Sequence, residues 1–236
     1  MTVKNAHLLF EQSGTFKNEF LKLGVPAYDY DILNDFGQTD FQCDLFHEIE
    51  MDICGVNGMF SRISPDDLIF AFFPCTYFCE NNVMYFSGTN HNFRHKTMEE
   101  KLQLIIERDN LRHLYYKRLL QLFQIVERRH LKLIVENPYN PHHYWRYNLP
   151  YKPAIIDMNR RRMGDYFKKP TQYLFVNCTP GQYRSMQCDK PMKYVDRQTT
   201  IDRSMISPDY ARNFICDFIL EIRTDYTLNT LFDIVE

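Results

Sequence analysis

Asp67-Leu-Ile-Phe-Ala-Phe-Phe-Pro74-Cys75-Thr76 is an apolar run bounded by a carboxylate and a proline. Too short for a free-standing helix, it reads as a buried strand of an α/β sheet, and Pro74 ends it. Open α/β sheets bind their ligands beyond the carboxyl ends of their strands, which puts Cys75 where a nucleophile would stand. The alternative is that Cys75 and Cys79 are small buried hydrophobes, as most intracellular cysteines are.

Upstream, Ala6-His-Leu-Leu-Phe10 gives way to Glu11-Gln-Ser13-Gly14-Thr15, then to apolar residues at Phe16, Phe20, Leu21 and Leu23, the pattern of strand, turn and helix. Gly24 closes that helix, and Val25 to Asp31 follows as a second strand ending in carboxylates. A weaker helical pattern covers Phe46 to Ile53. Beyond Cys79, the Asn-rich stretch from Glu80 to Lys96 has no period and reads as a loop able to act as a lid. Thr97-Met-Glu-Glu100 is a capping box opening a helix that runs to Arg129, and its stripe from Leu102, Ile105, Ile106, Leu111 and Leu114 to Val126 reads as core. Leu131 to Val135 is a strand ending on Glu136-Asn137-Pro138. Further strands are predicted near Ala154 to Asp157 and Gln172 to Asn177, with a closing helix over Pro208 to Ile222. This alternation predicts a Rossmann-like α/β fold, a mostly parallel sheet with helices on both faces, in one domain spanning 1–236.

With 236 residues, 44% of them hydrophobic and 25% charged, the chain has the make-up of a globular domain with one sizeable core. Its seven cysteines, at 43, 54, 75, 79, 178, 188 and 216, form an odd set without framework spacing, and no signal-peptide pattern opens the chain, so a reducing cytoplasm is expected. No run reaches the roughly 18 to 20 apolar residues of a membrane-spanning helix. The net charge of −2 argues against a generally basic nucleic-acid coat. It leaves room for a local basic face, and Arg160, Arg161, Arg162, Lys168 and Lys169 supply one.

Ser13-Gly14, Asp29 with Asp31, Pro74-Cys75 and Glu136-Asn137 all follow strands, so they are expected at one sheet edge. A glycine turn lets a ligand approach the backbone, and an acid after the second strand accepts hydrogen bonds from ribose hydroxyls, which predicts an adenosine cofactor. Gly14 as a plain turn is the alternative.

The order of these motifs resembles the cytosine-C5 DNA methyltransferase family, especially its compact phage and bacterial members. Leu9-Phe10-Glu-Gln-Ser13-Gly14-Thr15 resembles the cofactor turn, Asp29-Tyr-Asp31 the ribose acid, and Cys43-Asp44-Leu45 the adenine-contacting segment. Asp67 through Pro74-Cys75-Thr76 resembles the nucleophile motif, and Ile134-Val-Glu136-Asn137-Pro138 the Glu-Asn strand. Gly164 to Thr171 resembles the substrate-side basic motif, and Arg203-Ser204-Met-Ile-Ser207-Pro208 the closing motif.

The resemblance implies a class I methyltransferase fold, S-adenosylmethionine as cofactor and DNA as partner. It implies that the Cys75 thiolate adds to cytosine C6 while Glu136 holds N3 and the amino edge. Phe10, Ser13, Gly14, Thr15, Asp29, Asp31, Asp44, Leu45 and Pro74 then serve the cofactor, and Asn137, Lys168, Lys169, Thr171, Arg160 and Arg162 the substrate. The chain departs from the family in lacking a second glycine beside Gly14 and in carrying Lys169 where many members have arginine. The interval from Asn177 to Arg203 is too short for a large target-recognition domain, which leaves readout to a loop or a protein partner.

Two rival readings stand beside this one. The first is a protein of the same fold that binds nucleic acid without turnover. The second is a zinc site built from Cys75-x3-Cys79-x11-His91-x3-His95, one residue short of the common finger spacing and set after a buried strand rather than a hairpin.

Overall fold

The computed structural model describes residues 1–182 and 205–222. Its seven strands form one sheet: β1 (Ala6–Leu9), β2 (Ala27–Asp31), β3 (Phe41–Gln42), β4 (Leu68–Ala71), β5 (Lys132–Pro138), β6 (Ile155–Asp157) and β7 (Thr171–Val176). They lie in the order β3-β2-β1-β4-β5-β7-β6. The first five run parallel, while β7 is antiparallel to both β5 and β6. The helices are α1 (Thr15–Lys22), α2 (Leu45–Ile53), α3 (Asn81–Phe86), α4 (Met98–Arg129), α5 (Trp145–Asn148) and α6 (Pro208–Phe214), the last continuing as a π-helical turn over Ile215–Leu220.

The sheet is covered on both faces, which is why its central strands are continuous apolar runs instead of alternating ones. In β4, Leu68 and Phe70 join Phe16 and Phe20 of α1 and Phe214 of α6 in one core. Ile69 and Ala71 point the other way, into a second core with Ile49 of α2 and Leu122, Ile125 and Val126 of α4. Chain order along the sheet reverses between β1 and β4, and the crevice beyond their carboxyl ends is the switch point where open α/β sheets take ligands.

Two expectations change. The sequence reads the whole α4 stripe as core, yet Leu102, Ile106 and Leu111 are 52%, 55% and 41% exposed, and full burial begins only at Arg118. The cause is length. At 32 residues α4 is about 48 Å long, roughly twice the span of the longest strand, so its first half overruns the sheet. The stretch read as a loop, Glu80 to Lys96, contains α3 and a 3-10 turn, His91–Phe93. Its order comes from α4. Arg108 donates to Asn82 Oδ1 at 2.6 Å and lies 4.5 Å over the Tyr85 ring, and Phe93 packs edge-on against Tyr85.

Among the described residues no helix is long and apolar enough to cross a membrane. Cys188, Arg203, Ser204 and most of the interval read as lacking a recognition domain lie outside the described residues.

The two halves of α4 should respond differently to truncation. Leu122→Ala is expected to cost about 2–5 kcal/mol of unfolding free energy, and Leu102→Ala under about 0.5 kcal/mol, measured by urea denaturation.

Candidate active site

At the switch point a cleft of about 610 Å3 opens between the ends of β1, β2, β4 and β5. Phe10, Glu11, Gln12, Ser13 and Asp31 line one end; Pro74, Cys75, Glu136, Arg160 and Lys169 line the other. Its size is ordinary for a small-molecule site. Leu33, Phe36, Met205 and Ile206 add apolar wall.

Cys75 follows Pro74 in a single α-turn, closed by the Cys79 N–H on the Cys75 carbonyl at 3.2 Å. The neighbouring Cys79 thiol, acting as a donor, and the positive charge of Lys169 hold the Cys75 thiol below its ordinary range despite its burial. Cys79 correspondingly keeps its proton. Burial pushes the Glu136 carboxyl above its usual range, against the pull of Lys169 and Arg160. A thiol biased toward thiolate and a carboxyl biased toward its acid form therefore share one cleft, the combination that adds a nucleophile while protonating a ring nitrogen.

The sequence places Arg160 on a local basic face and among the residues serving the substrate. It is fully buried, ion-paired to Asp165 through Nε at 2.6 Å, and donates to the Met205 carbonyl at 3.3 Å. Its Nη1 has no hydrogen-bond partner among the described residues, and the side chain reaches the cleft wall.

Asn137 does not face the cleft. It is fully buried: its Nδ2 donates to the Phe73 carbonyl at 2.6 Å, and its Oδ1 accepts from His143 Nε2 at 2.9 Å. His143 Nδ1 accepts from the Trp145 N–H, which fixes the proton on Nε2, and burial lowers the imidazole to about 4, so it is neutral. The result is a clamp on the residue before Pro74-Cys75. Nothing in the sequence marks His143, six residues from Asn137, as its partner.

The turn after β1 also differs in detail from its sequence reading. Phe10 has φ 61 and Gly14 φ 66, both left-handed. For Phe10 that conformation is sparsely populated and marks a constrained site. Only glycine fits at 14, because a Cβ there would lie 2.9 Å from the Gln38 side chain. Glu11, unremarked in the sequence, turns back to accept from the Phe16 and Lys17 N–H groups at 2.8 and 3.4 Å and from Ser13 Oγ at 3.3 Å, capping α1. Beneath it lies Asp29, fully buried, with Lys17 Nζ at 3.7 Å. Burial raises both acids, Glu11 to about 7 and Asp29 to about 9, and each is pushed further or partly relieved by the other groups of the pair.

Asp31, not Asp29, reaches the cleft; its Oδ1 accepts from the Leu33 N–H at 2.8 Å, and burial raises it as well. Thr15 bonds Ser13 through its hydroxyl and begins α1 without lining the cleft. Asp44 is the N-cap of α2, accepting from Phe46 and His47, and Leu45 is core. For Asp44 the cause is general: a short polar side chain before a helix is consumed by the helix's own unpaired amides. Thr171 is fully buried and donates to the Lys169 carbonyl at 3.0 Å, shaping the turn that presents Lys169. Lys168 is exposed outside the cleft, and Arg162 lines a separate cavity with Asp157 and Asp217.

No protein-family model matches this chain, and no curated protein matches it. Among the described residues no three His, Cys, Asp or Glu side chains come together to hold a metal, so His91 and His95 do not complete a site with Cys75 and Cys79.

The acid pair sets a pH dependence. Because both groups titrate higher in the folded state, the folded chain holds protons that the unfolded chain has lost, and stability falls as pH rises from about 4 toward 7 and beyond. Glu11→Gln retains an acceptor for the Phe16 amide and removes one charge, so its melting temperature should exceed the wild type's at pH 8 and the decline between pH 4.5 and 7 should flatten in calorimetry.

Proposed function

We propose that the chain is an S-adenosylmethionine-dependent cytosine-C5 methyltransferase of Rossmann-like, class I fold, acting on DNA. The observation that carries the reading is the convergence of Cys75, Glu136, Arg160 and Lys169 with the Phe10–Ser13 turn and Asp31 in one cleft. Cytosine C5 is a poor nucleophile. Addition of the Cys75 thiolate to C6 makes it reactive, and a Glu136 carboxyl that favours its acid form donates a hydrogen bond to N3 as electrons move onto the ring. Lys169 favours the thiolate before addition, and the buried Arg160 Nη1 offers a donor to an oxygen on the ring edge.

The turn also supports this cofactor over a dinucleotide. In dinucleotide-binding sheets the first helix offers its N-terminal amides to a pyrophosphate. Here Glu11 already occupies the Phe16 and Lys17 amides, so they are not free to hold a pyrophosphate. Asp31 is placed for ribose hydroxyls, and Phe10, Leu33 and Phe36 for a flat base. When bound, S-adenosylmethionine supplies the electrophilic methyl group. DNA as the substrate and a protein partner for target recognition rest on the family resemblance and on Lys168 and Lys169 near the cleft mouth.

The rival reading, nucleic-acid binding without turnover, draws on Gln38. Its side chain covers Gly14 and accepts from Asn18 Nδ2 at 3.2 Å, occupying space above the turn. A thermal shift separates the two. S-adenosylmethionine at about 100 times its dissociation constant is expected to add roughly 2.7 kcal/mol of stability, and no shift would remove the cofactor and the enzyme together.

Covalent trapping tests the chemistry. With cofactor present, 5-fluorocytosine in duplexes of varied sequence should yield a denaturant-stable adduct that Cys75→Ser abolishes. Glu136→Gln should slow adduct formation by about 10²–10⁴-fold.

A further inference from the structure

We infer that Cys75 and Cys79 form a redox pair: a hydroperoxide converts them to an intramolecular disulfide, and a dithiol restores them. Several features place the sulfurs for this. The two cysteines span one isolated α-turn, with both the Phe78 and Cys79 N–H groups on the Cys75 carbonyl, and neither belongs to a helix. Residues joined by an i→i+4 hydrogen bond stand roughly 6 Å apart at Cα, inside the window for a disulfide, and because the Arg108 and Asn82 bonds to this turn hold its carbonyls, the two side chains remain able to rotate toward each other. Each thiol shifts the proton affinity of the other, and Cys75 opens onto the cleft, where a small oxidant can enter. The other described cysteines lie elsewhere, Cys43 and Cys54 at the two ends of α2, Cys178 after β7 and Cys216 in the π-helical turn.

The chemistry proceeds in two steps. The Cys75 thiolate takes the terminal oxygen of the hydroperoxide; the O–O bond breaks, and the departing alkoxide picks up a proton as alcohol. Cys79 then attacks the sulfenic sulfur, the S–O bond breaks, and the hydroxyl leaves as water with the Cys79 proton. The two sulfurs lose two electrons in all and the hydroperoxide gains two. Cys79 is held protonated by its interaction with Cys75, by burial and by the Cys75 charge. Once the sulfenic acid neutralises Cys75, that repulsion ends, and Lys169 works against the burial that remains. The pair thus stops the oxidation of Cys75 at a reversible stage.

The mass readout does not depend on methyl transfer, whereas the corollary that the disulfide silences addition to cytosine rests on the function proposed above. The full chain is treated with a small excess of hydrogen peroxide, alkylated and digested with trypsin. Residues 63–94 form one tryptic peptide containing both thiols and no other cysteine. The expected product is that peptide lighter by two hydrogens and unalkylated, and reverting with dithiothreitol. In Cys79→Ser, Cys75 should instead accumulate sulfinic and sulfonic acid at the same dose. A wild-type peptide that stays reduced, gains oxygen at Cys75 without losing two hydrogens, or is cross-linked to another cysteine overturns the inference. Trapping with 5-fluorocytosine DNA keeps the two claims apart. An adduct from reduced but not oxidised protein supports both, an adduct from both forms overturns the silencing, and none from reduced protein defeats the methyl-transfer reading while the disulfide result stands.

Discussion

The register of β1, β4 and β5 is the constraint on which the rest of the molecule depends. Leu68 pairs with Ala6 on one side and Lys132 on the other, and Ala71 with Leu9 and Val135, so three parallel strands begin level, β1 and β4 end together, and β5 runs on to Pro138. Both faces of β4 are apolar, and hydrophobicity alone would tolerate a slip by one residue. Polar groups prevent it. Below the strand, Asn5 donates to Asp67 at 2.7 Å; above it, Asn137 holds the Phe73 carbonyl at 2.6 Å. With both ends fixed, Phe10, Cys75 and Glu136 emerge at one edge, and a single cleft collects them.

The cleft concentrates buried charge in a way that local packing would disfavour. Glu11, Asp29, Glu136 and Arg160 are each nine-tenths or more buried. Burying carboxylates is unfavourable unless they are protonated, paired or hydrogen-bonded. Each solution occurs here: Arg160 is paired with Asp165, Glu11 is bonded to amides, and Asp29 and Glu136 are displaced toward their acid forms. A core built for stability alone would place apolar groups at these positions. Their presence is the physical signature of a site.

Much of the architecture was legible because it is periodic. Short apolar runs ending in Pro, Gly or Asp marked β1, β2 and β4, and the capping box at Thr97 marked the start of α4 to within a residue. The two-residue β3 was missed, since Phe41–Gln42 carries too few side chains to show a period. Burial of α4 was overcalled because a helical stripe records which residues share a face and says nothing of how far the partner sheet extends. At the site, Cys75, Glu136, Ser13 and Asp31 were legible from their positions after strands. Glu11, His143 and the role of Asn137 were not. Each acts through a contact whose partner is set by a turn or by strand pairing, and turn conformation leaves little trace in residue type.

The overhanging half of α4 reaches back into this site through Arg108. Arg108 donates to the Thr76 carbonyl at 3.0 Å and to Asn82, whose own amide holds the Thr76 and Cys79 carbonyls at 3.0 and 2.9 Å. The thiol turn is therefore splinted to a rod whose far half is embedded in the core and whose near half stands in solvent. A stiff rod anchored at one end transmits displacement with little loss, so bending at Met98 or Leu102 is felt one residue from Cys75. The turn borrows its rigidity from a helix whose own anchorage lies in the core beneath the sheet.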